Sequence, residues 1–77
     1  METIGDIHLA AVTETYLMHF PGTYALDFDV SADSASGQVT VGGTIATSDI
    51  KSLEKDIYSA LSGADLIKNI EIQVSAG

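Results

Sequence analysis

Residues 37–45 read G-Q-V-T-V-G-G-T-I, with Val39, Val41 and Ile45 on one parity and Gln38, Thr40 and Thr44 on the other. Side chains alternate across a strand, so this segment predicts a strand with one apolar and one polar face. Gly37 stands where a tight turn would lead into it. The Gly42–Gly43 pair lies inside it, where a bulge or a close backbone approach is the usual reason for glycine. The expectation is that a helix lies across Gly43, with Leu53 and Ile57 as its neighbours.

Outward from this strand, Thr47 to Gly63 reads as an amphipathic helix. Thr47 or Ser48 is placed to cap it, Asp49 suits the positive end of its dipole, and Gly63 stands where a C′ glycine closes a helix. Ile50, Leu53, Ile57, Ala60 and Leu61 form its buried stripe, with Lys51, Glu54, Lys55 and Asp56 off it. Ile67 to Val74 reads as the last strand, with Ile70, Ile72 and Val74 on one face. On the other side, Tyr24 to Val30 alternates, setting Tyr24, Leu26, Phe28 and Val30 against Ala25, Asp27 and Asp29. Ser31 to Ser36 then reads as a loop between antiparallel strands.

Ile4 to Phe20 reads as a helix, with Leu9, Val12, Tyr16 and Phe20 at helical spacing and Thr3 or Asp6 at its start. Its β-branched and aromatic residues leave a strand as the alternative, with Phe20 to Thr23 then a hairpin turn. The expected fold is a small single α+β domain over residues 1–77. Its order is α-β-β-α-β, with a mixed, mainly antiparallel three-stranded sheet packed on two helices.

Net charge is −8, and no arginine occurs. Glu2, Asp6, Glu14, Asp27, Asp29, Asp33 and Asp49 all precede the first cation, Lys51. A chain so poor in cations cannot gain from counterion release on a phosphate backbone, which argues against direct nucleic-acid binding. Anionic lipid surfaces are disfavoured for the same reason. A protein partner with a basic surface is the favoured class. Cysteine is absent, so no disulfide supports the core, and a homo-oligomer or a partner-docked state is an expected aid to stability. Met1 is followed by acids rather than a basic leader region. As given, the chain reads as cytoplasmic, or periplasmic if a leader has been removed.

The order α-β-β-α-β, with V-T-V-G-G-T-I behind a turn glycine, resembles the BON (bacterial OsmY and nodulation) domain. Gly37 matches that family's leading glycine, Val39 and Val41 its apolar pair, Gly43 its inner glycine and Ile45 the closing aliphatic. Gly63 matches its turn glycine, and Asn69 the asparagine near the last strand. Phe20-Pro21-Gly22 before L-D-F-D-V is similar to the family's approach to its first strand. The pattern departs at Ala64, where an aliphatic often follows the turn glycine. The resemblance implies a non-catalytic bacterial module that docks to phospholipid surfaces or other envelope components.

No catalytic constellation stands out. Serines are plentiful, but none sits in a G-x-S-x-G elbow, and Gly42–Gly43 lacks the Lys-Ser/Thr of a phosphate loop. No cofactor is implied, and the chain does not read as an enzyme. Asp27, Asp29 and Asp33 superficially resemble a calcium loop. Ala32 and Gln38, however, stand where an EF-hand needs its turn glycine and closing glutamate, which leaves a weak surface cation site at most. His8 and His19 would lie about 16 Å apart along a helix, too far to share a metal. The structural residues are then Gly37, Gly43, Leu53, Ile57 and Gly63. The candidate partner-binding residues are Glu14, Asp27, Asp29 and Asp33. Two functions fit the chain: a docking module that uses the sheet face away from the helices or a strand edge, or a free-standing acidic inhibitor of phage or mobile-element type, in which these four acids block a partner's basic nucleic-acid-binding surface.

Overall fold

The computed structural model describes residues 4–24, 26–46 and 48–76. Thr3, Ala25 and Thr47, which bear on the expectations above, lie outside them. Two helices and three strands follow in the order α1 (Ile4–His19), β1 (Asp29–Asp33), β2 (Gln38–Ile45), α2 (Ile50–Leu61) and β3 (Asn69–Ala76). The sheet is mixed, with β2 in the middle, antiparallel to β1 and parallel to β3. A parallel pair needs a crossover, and α2 is that crossover.

Register carries the alternation of β2 across the whole sheet. Val30 pairs with Val41 and Val41 with Ile72, while Ala32 pairs with Val39 and Val39 with Ile70. These rows form the inner face, and Leu9, Leu17, Leu53, Ile57, Ala60 and Leu61 from the two helices close over it in one cluster. Val39, Val41 and Ile57 are fully buried. The outer face is polar from edge to edge. Ser31, Thr40 and Glu71 form one row across it, and Asp33, Gln38 and Asn69 another.

The first segment is a helix, and its buried stripe is Leu9, Thr13 and Leu17 rather than Leu9, Val12 and Tyr16. The buried Thr13 hydroxyl donates to the Leu9 carbonyl at 2.8 Å, so a polar residue fits the core without an orphaned group. Tyr16 is left exposed.

β1 begins at Asp29, not at Tyr24. Residues after α1 are instead wound into a turn, where the Phe20 carbonyl accepts the Thr23 and Tyr24 amides at 3.0 and 2.9 Å. The buried Thr23 hydroxyl donates to the Leu17 carbonyl, satisfying one of the free carbonyls at the helix end. Leu26, Phe28 and Val30 still pack on the core, but Tyr24 does not. Ser31 to Asp33, expected in the loop, are paired with β2.

The turn into β2 closes with the Gly37 amide donating to the Asp33 carbonyl at 2.9 Å. Gly37 has φ +73°, the left-handed region that favours glycine, and an added Cβ would also collide with the Lys68 side chain. The helix expected across Gly43 is not there. An added Cβ on Gly43 would meet the backbone of Asp27 and Asp29 at ordinary contact distances, and no atom of α2 is among its nearest neighbours. Its φ of +121° is what requires glycine, at the point where the chain enters β1 beside it. Gly42 faces Asp29 and Gln73 across the sheet.

α2 is capped by Asp49 rather than by Ser48, because Asp49 Oδ1 accepts the Ser52 amide at 3.1 Å. Leu53 and Ile57 are buried as read. At the other end Ser62 is the capping residue, its hydroxyl donating to the Ser59 carbonyl at 2.9 Å. Gly63 follows it without adopting a positive φ and has no atom within 4 Å of its Cβ position.

Candidate functional site

α1 packs alongside β1, and an open groove runs between them. One part, of about 230 Å³, is lined by Glu14, Leu17, Met18, Leu26, Asp27, Phe28 and Val30. A second, of about 270 Å³, shares Glu14, Phe28 and Val30 and adds Asp29 and Ser31. The two form one trough with an apolar floor and carboxylates on its rim. Helical spacing sets Glu14 and Met18 on the same side of α1, one turn apart. Met18 is 64% exposed.

The structure therefore brings three of the four candidate acids to one place. Glu14, Asp27 and Asp29 line the trough, and all three are exposed. Asp33 is not among them. It sits at the far end of β1, about 13 Å along the strand from Asp29. There its Oδ1 accepts the Ala35 amide at 3.1 Å and shapes the turn. No lysine lines the trough.

Met18 was not legible as a site residue, and Leu26 and Phe28 read only as core. The available signal was α1 itself, which carries apolar residues on several faces while only one face is covered. Ile4, Ile7 and Met18 are consequently left in solvent. His8 and His19 are both exposed, and His19 Nδ1 lies 2.7 Å from the Thr15 carbonyl. Among the described residues, no group of three or more His, Cys, Asp or Glu side chains is placed to hold a metal ion. No helix among them is long and apolar enough to cross a membrane.

The outer sheet face offers a different chemistry. It presents short polar side chains, with Thr40 Oγ1 and Glu71 Oε2 3.5 Å apart across β2 and β3. No large apolar residue interrupts it. Compared with family models, curated proteins and solved structures, the chain matches none.

Proposed function

We propose that the chain is a non-catalytic binding module, BON-like in type, that docks through the α1–β1 trough onto a basic surface of a larger protein. The observation that carries this reading is that exposed Glu14, Asp27 and Asp29 line the same open trough as half-buried Leu26 and Phe28 and exposed Met18. Apolar contact supplies area there, and the carboxylates select a partner that brings Lys or Arg to the rim.

The probe that tests it is an extended peptide of alternating leucine and arginine, followed by amide chemical shifts. Shifts confined to Glu14–Met18 and Leu26–Ser31, with affinity falling steeply as salt rises, are the expected result. Reversal of Asp27 and Asp29 to Lys abolishes the interaction on this reading. Binding that survives the reversal, or shifts that map to the outer sheet face, sinks it.

A second reading, the acidic inhibitor, draws on the outer face, where Asp29, Asp33 and Glu71 stand exposed on a surface that carries no cation in its three strands. Such a protein would compete with nucleic acid for its partner. It would be sensitive to charge reversal at Asp33 and Glu71, which the trough reading leaves untouched. A lipid-docking role would show as flotation with neutral vesicles.

A further inference from the structure

Among the described residues the sheet has two unpaired edges, and their chemistry differs. β1 carries Asp29 and Asp33 within five residues, whereas β3 carries a single charge, Glu71, within eight. The same asymmetry runs through the chain. Seven acids and no cation precede Lys51, while four acids and all three lysines lie from Lys51 onward. The side of the molecule built from α2 and β3 is therefore nearly neutral in a chain that is otherwise strongly acidic.

That side is also incompletely covered. The inner-face residues of β2, Val39 and Val41, have no exposure, while Ile70, Ile72 and Val74 of β3 are only partly buried. Among the described residues β3 has no strand on its outer side. Tyr58 of α2 is 50% exposed and lines an open pocket with Ile67 and Ile70 beside this edge.

We propose that a second copy of this chain pairs with β3, antiparallel and edge to edge, continuing the sheet to six strands about a two-fold axis at Ile72. An edge that meets its own copy must be self-complementary. Centred on Ile72, the pairing sets Ile70 opposite the partner's Val74 and Glu71 opposite the partner's Gln73. The apolar row stays on the inner face, and no carboxylate meets another. β1 is less suited, because the pairing that uses its whole length, centred on Ser31, sets Asp29 against the partner's Asp33, and like charges directly opposite are unfavourable. Tyr58 of each copy then has the partner's Val74 within the same apolar layer. The pairing also covers the outward-facing backbone groups of β3, an edge strand of eight residues.

The pairing is independent of the α1–β1 trough, and salt separates the two. Raising salt screens the self-repulsion of two acidic chains and strengthens the pairing, whereas it weakens docking of a basic partner at the trough. Sedimentation equilibrium of the whole chain, from micromolar to millimolar concentration, reads the effect directly. Gln73 is exposed, so its variants keep the fold, which circular dichroism checks. Gln73→Lys faces the partner's Glu71 and should tighten the dimer about tenfold, and Gln73→Glu should weaken it by about the same factor. A chain that stays monomeric at millimolar concentration overturns the proposal. So does a dimer indifferent to both substitutions.

Discussion

Asp6 Oδ1 accepts the backbone amide of Ser34 at 2.7 Å, joining the first turn of α1 to the β1–β2 turn across 28 residues of chain. A carboxylate accepting an amide is a charge-assisted bond, stronger than its neutral counterpart. It fixes the start of α1 over the turn end of the sheet. Asp6→Ala should lower unfolding free energy by about 1–2 kcal/mol, and Asp6→Asn, which keeps an acceptor, by less. Urea denaturation of the two variants measures the difference.

Gly37 and Gly63 look alike in the sequence and should respond oppositely to alanine. Gly37→Ala meets both a left-handed backbone and the Lys68 side chain, so it should cost about 1–2 kcal/mol or more. Gly63→Ala has open space and an ordinary φ, and should stabilise by about 0.4–1 kcal/mol through the unfolded chain. Thermal melts that rank the two the other way would refute this assignment.

The cap of α2 is a single-residue claim. Asp49→Ala should destabilise by about 1 kcal/mol, and Ser48→Ala should leave stability unchanged. Hydrogen exchange at the Ser52 amide reports the same contact locally.

Ile57 is fully buried at the centre of the core cluster. Ile57→Ala should cost about 2–5 kcal/mol. For a chain of 77 residues the whole stability is on the order of 4–12 kcal/mol, so the variant should give up a large part of it and melt well below the parent chain. A thermal melt followed by the far-ultraviolet dichroism of α1 and α2 is the readout.

The element order was legible because β2, α2 and β3 each carry a clean period, and their apolar residues meet in the core. Boundaries were harder where backbone bonding outweighs pattern. The alternation of Tyr24 to Val30 was real for Leu26, Phe28 and Val30, yet the bonds from Thr23 and Tyr24 to Phe20 hold the start of that segment in a turn. The stripe of α1 does not show in the pattern, because Thr13 counts as polar until its hydroxyl finds the Leu9 carbonyl. The pattern marks Gly43 as necessary, but it cannot distinguish a crowded glycine from one with an unusual φ. Of the acidic site, charge content was plain in the chain. That Glu14 joins Asp27 and Asp29, and that Asp33 does not, depends on how α1 lies beside β1.

The carbonyl of Gly37 accepts the amides of both Lys68 and Asn69, at 2.7 and 3.3 Å. The residue that ends the hairpin turn therefore also receives the chain as it enters β3. Loop length in this protein is consequently not a local variable. One residue inserted among Ser34 to Ser36 need not disturb β2, but anything that moves Gly37 shifts the starting point of β3 by the same step. Because strand faces alternate, a one-residue slip there would turn Ile70, Ile72 and Val74 out and bring Glu71 and Gln73 in. Lengthening should thus be accepted next to Gly63, which is exposed with open space around it, well before it is accepted in any change that displaces Gly37.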